Sequence, residues 1–165
     1  MIYSLDTNVF IEAWNKYYAF DLCPDYWDKL DQLAKDGVIF ATEEVKRDIA
    51  KKDDDLNKWI ESRDYFFKAI SGEVQNCLSH IFQIEEHRRL VDSSKFRSIA
   101  DPWVIAHAMA ENAIVVTKEK FETHPTRRIK IPNVCQAMKI EWIDDFELLR
   151  RLGIKFSISV IDNQQ

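Results

Sequence analysis

Asp6, Asp48, Asp101 and Glu119 are the residues whose types and positions could do chemistry together. Asp6 closes an apolar run, Met1-Ile2-Tyr3-Ser4-Leu5, and is followed by Thr7-Asn8 and then by apolar residues at helical spacing. That pattern is a strand delivering a carboxylate to its carboxyl end, where open α/β sheets build their sites. Asp101 opens a helical pattern, Asp48 lies within another, and Glu119 falls just past a second apolar run, Ala113-Ile114-Val115-Val116-Thr117. Four carboxylates converging at one sheet edge repel each other unless a hard divalent cation sits among them. The chemistry implied is metal-assisted hydrolysis of a phosphate ester, with Mg2+ or Mn2+ as the ion that suits oxygen ligands.

Each acid also has an ordinary role open to it. Asp6 could cap the helix after it, as could Thr7 or Asn8. Asp101 before Pro102 has the form of a helix start, Asp at N-cap and Pro at N1. Glu119 could be an exposed residue, and Asp48 could pair on the surface with a neighbour such as Arg47. The joint placement is the stronger signal. Asp6 and Glu119 each follow an apolar strand at the same end of a parallel sheet, and Thr7, Asn8, Thr117 and Lys118 set polar groups beside them.

These acids need elements to hold them. The pattern predicts strands over 2–5, 38–41, 113–117 and 139–143. Val9, Phe10, Ala13, Trp14 and Tyr17 repeat at helical spacing directly after the first strand. Asp25 and Thr42 read as caps of the next two helices, with Glu43 and Glu44 in a first turn where negative charge suits the dipole. Residues 56–90 read as helical throughout, including one helix over 74–90, and could cap one end of the sheet. Residues 93–98 read as a polar connector, and Asn133 as the cap of a single helical turn. Strands alternating with helices make an α/β fold: a central, mostly parallel sheet of about four or five strands, covered on both faces. One domain spans 1–153, and 154–165 is a tail that alternates weakly.

The bulk numbers narrow the class. A chain of 165 residues with 46% apolar and 31% charged content is globular, not disordered. No apolar run reaches the roughly 20 residues of a membrane span, and the start carries no cleavable leader. Three scattered cysteines, Cys23, Cys77 and Cys135, suggest neither a zinc site nor a disulfide framework, so a reducing cytoplasm is the natural compartment. With three glycines the phosphate loops GxGxxG and GxxxxGK[ST] are absent. The net charge of −5 means that any nucleic-acid contact rests on local basic clusters. Two exist: His87-Arg88-Arg89, read as a solvated face, and the stretch 124–130 with Arg127, Arg128 and Lys130, close after Glu119.

Three segments carry a resemblance: Leu5-Asp6-Thr7-Asn8-Val9-Phe10-Ile11, Ala100-Asp101-Pro102-Trp103-Val104-Ile105-Ala106 and Val115-Val116-Thr117-Lys118-Glu119. They are similar to those of PIN-domain nucleases. The chain most resembles a small branch near the VapC-type toxins that also has an Ile-Pro-x-x-Cys element, here Ile131-Pro132-Asn133-Val134-Cys135. The resemblance runs from residue 2 to about 152. It matches the family's first acid to Asp6 and its third to Asp101. The second, usually within Val-x-x-Glu-Leu, falls at Asp48 in Val45-Lys46-Arg47-Asp48-Ile49, one methylene shorter, with Glu44 one turn earlier on the same face as the alternative. The fourth, usually Asp, is Glu119.

The resemblance implies a PIN-like sandwich and metal-dependent endonucleolytic cleavage of single-stranded RNA. Asp6, Asp48 and Asp101 would hold the metal, and Glu119 would complete the acidic shell, directly or through water. Thr7, Asn8 and Thr117 would orient these ligands, and Arg127, Arg128 or Lys130 would hold the RNA backbone. Trp14 or Trp103 could stack on bases, but each sits at core spacing on a helix. The resemblance also implies an inhibitory antitoxin partner, and the aromatic helices could supply a homodimer face. A haloacid-dehalogenase-type phosphatase would need a second Asp at position 8, which is Asn. The alternative of another class is a PIN-like scaffold, binding protein or RNA with weak catalysis or none.

Overall fold

The structure, a computed structural model, describes residues 1–91 and 99–157. The polar connector expected over 93–98 and the tail from 158 onward lie outside the described residues. Three strands form the middle of the sheet: β1 (Tyr3–Leu5), β2 (Ile39–Thr42) and β4 (Ile114–Val116). All of their residues are buried, as expected of parallel strands covered on both faces. The edges are β3 (Phe67–Lys68) and β5 (Trp142–Ile143), and the order is β3-β2-β1-β4-β5 with every pairing parallel.

That order sets the place of the site. The chain steps from β1 to β2 and β3 on one side, then returns to lay β4 against the other side of β1. The register pairs Leu5 with Val116 and with Ala41, so Asp6 and Thr117 leave the sheet together at its carboxyl edge. Between β1 and β4 the order reverses, and a crevice opens there in such sheets.

Helices cover both faces. They are α1 (Thr7–Glu12), α2 (Pro24–Lys35), α3 (Glu43–Ile49), α4 (Asp55–Glu61), α5 (Gly72–Ile81), α6 (Asp101–Glu111), α7 (Ile131–Met138) and α8 (Asp145–Arg151). α6 lies on β1, β2 and β4 with α5 and α7 against it. It is apolar nearly all round, so it is the central buried helix of its layer. The Ser4 hydroxyl in β1 donates to the Val104 carbonyl of α6 at 3.2 Å. Tyr3 and Leu5 alternate to the other face. Elsewhere in the core Phe10, Phe66, Trp27 and Trp59 pack ring on ring, with edge contacts of 5.4 Å (Phe10–Phe66) and 5.0 Å (Trp27–Trp59). Trp14 and Trp103 are half-buried against this core. Among the described residues no helix is long and apolar enough to cross a membrane.

Several local expectations change. Residues 56–90 are not helical throughout. α4 ends at Glu61, where the Arg63 guanidinium donates to the Trp59 carbonyl at 2.6 Å, and Phe67–Lys68 then forms the edge strand β3. Lys68 sits 4.3 Å from the Phe40 ring centroid and pairs with Glu111 at 2.9 Å, a charged side chain guarding an exposed edge. The helix expected over 74–90 stops at Ile81. The buried His87 ring meets the Ile81 carbonyl at 2.9 Å, so it takes one of the acceptors that a helix end leaves open, and 85–90 is a 3₁₀ turn. The single turn expected at Asn133 is the two-turn α7, with Pro132 in its first turn and Lys130 at N-cap. α2 starts at Pro24 with Cys23 at its N-cap position, two residues before the Asp25 cap expected. Thr42 caps α3 as expected, accepting from the Val45 N–H at 3.3 Å.

Candidate metal centre

Asp6 is fully buried at the end of β1, its backbone N–H donating to the Val116 carbonyl at 3.0 Å. Asp6 Oδ2 accepts from the Thr117 hydroxyl at 2.9 Å and from the Asn8 amide at 3.4 Å. Asp6 Oδ1 is buried and has no hydrogen-bond partner among the described residues. Asp6 is therefore not a helix cap: it stands at the N-cap position of α1 but its side chain makes no cap bond. Burial, then repulsion from Glu119, raises its carboxyl from the usual acidic range to about 7, against the Thr117 hydroxyl, the Thr7 amide and Arg128.

Thr117 joins the two strand ends. Its hydroxyl oxygen also accepts from the Glu119 N–H at 3.1 Å, which turns Glu119 back toward Asp6. Glu119 Oε2 accepts from the Ile131 N–H at 2.8 Å, so the acid sits on the positive end of α7. Glu119 Oε1 accepts from Arg128 at 2.7 Å, with Lys130 Nζ 3.8 Å away.

Asp101 is 6% exposed, in the first turn of α6. The cap reading fails here too, because Ala100 holds the N-cap position and Asp101 lies inside the first turn. The same Arg128 nitrogen that meets Glu119 also donates to Asp101 Oδ2. One guanidinium thus ties together acids 18 positions apart in the chain. Its Nε donates to the Leu90 carbonyl at 3.0 Å.

The other predicted residues are placed differently. Asp48 pairs with Lys51 at 2.5 Å and borders a separate small cavity with Ile11, Trp14 and Asn15. Glu44 accepts from Arg47 on its own helix. The structure therefore links Asp6, Asp101 and Glu119 through Thr117 and Arg128, and gives the α3 acids basic partners on α3 or just beyond its end. Thr7 supplies a backbone amide to Asp6. Arg127 is exposed and contributes its carbonyl, which accepts from Arg89 at 3.2 Å. The solvated-face reading of 87–89 holds for Arg88, paired with Glu85 at 3.1 Å, but not for its neighbours. His87 is buried, and Arg89 clamps the Pro125 and Arg127 carbonyls.

Two features of the site went unread in the sequence. Lys118 forms an ion pair at 2.6 Å with the buried Asp145, without hydrogen-bond geometry, while its ammonium lies 4.2 Å from the Tyr17 ring and 4.5 Å from that of Phe146. Tyr17 reaches it because residues 13–17 form a π-helical turn, closed by the Tyr18 N–H on the Ala13 carbonyl at 2.6 Å. In the sequence, Asp144 or Asp145 reads only as the start of the last helix. Cys135, in the Ile-Pro-x-x-Cys element, is buried beside the acids; burial first, then Asp6 and Glu119, pushes its thiol well above the usual range. It is an inert core residue. All three cysteines are free.

Among the described residues no set of three or more His, Cys, Asp or Glu side chains stands at metal-holding spacing. The residues nonetheless fit a hard cation: a buried carboxylate oxygen lacks any partner, and the two acids beside it already share a positive group. A groove of about 740 Å³ lined by Tyr17, Thr117, Lys118, Glu119 and Phe146 opens beside them to solvent.

The five-stranded parallel sheet between helical layers, with buried acids at its switch point, is the PIN-like α/β/α fold expected from the sequence. Its fold matches the crystal structure of VapBC2 from Rickettsia felis bound to a DNA fragment from their promoter. The TM-score is 0.54 at 20% identity, over 87% of this chain and 98% of that chain. The chain belongs to the family described as Domain of unknown function (DUF4411), whose model matches residues 3–156. A comparison with curated proteins finds no match.

Proposed function

We propose that this chain is a metal-dependent endoribonuclease that hydrolyses phosphodiester bonds in single-stranded RNA. The observation that supports it most is Asp6: a fully buried carboxylate with one unpartnered oxygen, placed at the sheet switch point beside Asp101 and Glu119. Evolutionarily neutral core packing gives no reason to bury such a group, since an unpaired buried acid costs folding free energy. Asp6 and Asp101 would hold Mg2+ or Mn2+, with Asp48, or Glu44 in its place, reaching in from α3 and Glu119 acting directly or through water. When bound, the ion supplies an activated water and stabilises the departing oxygen. Thr117 and Asn8 fix the Asp6 carboxylate plane, and Thr7 adds its backbone amide. Arg127, Arg128 and Lys130 would hold the RNA backbone at the mouth of the site.

The likeness to VapBC2 supports a further reading, that the protein is the toxin of a toxin–antitoxin pair acting in the cytoplasm and is held inactive by a protein partner. Pairing of two copies through its aromatic helices belongs to the same reading. The scaffold alternative draws on a different observation: Arg128 already neutralises two of the acids, so the fold can stand without an ion.

Replacing Asp6 or Asp101 by Asn should abolish Mg2+-dependent cleavage of single-stranded RNA and leave the circular dichroism spectrum unchanged. Equal activity in variant and parent would reject the assigned site. A melting temperature that fails to rise with Mg2+ or Mn2+ would favour the scaffold, because a ligand of the native state must stabilise it.

A further inference from the structure

Two carboxylates share one guanidinium, and a third lies beside them. Arg128 donates to Asp101 and to Glu119 through the same nitrogen, Lys130 lies 3.8 Å from Glu119, and Asp6 Oδ1 remains buried and unpartnered beside them. We propose that Arg128 is the resident counter-ion of this site. It occupies the acids when no divalent ion is bound and must leave them for the ion to enter, so that ion uptake and release of the Arg128 side chain toward the groove are one event. The inference rests on the metal reading above and adds to it a threshold set by this chain's own cation.

Charge and architecture carry the argument. A guanidinium and a hard divalent cation compete for the same carboxylate oxygens, and neither tolerates the other at contact distance. The loop that carries Arg128 has anchors besides it, so the side chain can leave without releasing the loop. Arg89 holds the Pro125 and Arg127 carbonyls at 3.0 and 3.2 Å, and the Arg89 carbonyl accepts from the Ile129 N–H at 3.2 Å. Asn133 and Glu122 lock the other side, at 3.2 and 2.7 Å. The Arg128 side chain itself is 27% exposed, more than either acid it bridges, so its way out leads to solvent. Among the described residues, its Nε bond to the Leu90 carbonyl and the two carboxylates keep it in place. An arginine at this position therefore trades affinity for selectivity: weak or singly charged cations do not dislodge it, and the displaced guanidinium is left beside the ion, where a phosphate would lie.

The test is a Mn2+ titration of the metal-free protein by calorimetry, comparing the parent with Arg128→Gln and Arg128→Lys. The inference predicts that Arg128→Gln binds Mn2+ about tenfold more tightly and that Arg128→Lys falls between it and the parent. Equal or weaker binding by Arg128→Gln would overturn it while leaving the metal reading intact. Absence of Mn2+ binding in all three proteins would sink both. Should Arg128→Gln fail to fold, the parent alone decides: on adding Mg2+, the Arg128 Nε–H signal in a nitrogen-15 spectrum must shift and exchange faster with solvent. A signal that stays fixed while Mg2+ binds would also overturn the inference.

Discussion

Two sets of acids, both expected at one site, have different partners. At the carboxyl ends of β1 and β4, Asp6, Glu119 and the nearby Asp101 are almost wholly buried, and they are tied by Thr117 and by one shared guanidinium. On α3, Glu44 and Asp48 each have a basic partner three residues on, Arg47 and Lys51, whose own side chains are well exposed. Residue type is the same in both sets. The difference lies in the partners more than in exposure, since the Glu44 and Asp48 side chains are 13% and 16% exposed against 9% for Asp101 and Glu119. An acid with a basic partner one turn along the chain is satisfied locally, whereas a fully buried acid with a bare oxygen stores a demand for a cation.

The sharpest break of this comparison is in catalysis. Asp6→Asn should lower RNA cleavage roughly a thousandfold, a barrier rise of ~4 kcal/mol, while Asp48→Asn should cost about tenfold. A reversal of that order in kcat would make α3 the dominant ligand. Next in size is the buried pair that is not part of the acid cluster. Lys118→Met strands Asp145 and should cost about 3 kcal/mol in urea unfolding, with the double variant Lys118→Met, Asp145→Leu recovering most of it. If the single variant unfolds like the parent, the ion pair has no structural role.

A smaller effect appears in the pH dependence of stability. The Asp6 carboxyl is raised by burial to about 7 in the folded metal-free protein. The folded state therefore holds a proton that the unfolded state releases above about pH 4. This stabilisation is complete below that pH and is lost as pH rises through about 7. In chelator, the parent should lose at least about 3 °C more in melting temperature than Asp6→Asn between pH 5 and pH 8. Parallel melting curves would mean that Asp6 is not the buried acid described. Least of all, Arg47→Ala on the solvent side of α3 should change stability by less than about 0.5 kcal/mol.

Much of the architecture was legible because each piece had a local signal. The β-branched run at 114–116, the apolar opening and the cap at Thr42 carry their structure in a few residues, and alternation with helices implies the parallel sheet. β3 was not legible: two residues held by pairing with β2 leave no periodicity, and Phe66-Phe67 sit next to a helical pattern. The end of α5 was hidden because it depends on the His87 ring, six residues beyond Ile81. At the site, Asp6, Thr117 and Glu119 could be read from strand ends alone. Arg128 stood out only as one of several basic residues near Glu119, and nothing in its neighbours announced that it would bridge to Asp101. That contact spans 27 positions and exists only after the loop 118–130 is clamped by Arg89. The pairing of Lys118 with Asp145 stayed unread for the same reason, since it needs β4 and β5 side by side.

A crystal soaked in Mn2+ and measured for anomalous scattering tests the central claim most directly. The account predicts one strong peak within coordination distance of Asp6 Oδ1 and Asp101, with the Arg128 guanidinium turned away from both acids, and no peak in crystals of Asp6→Asn. A soaked crystal in which Arg128 still bridges Asp101 and Glu119 and no peak lies beside Asp6 would contradict it.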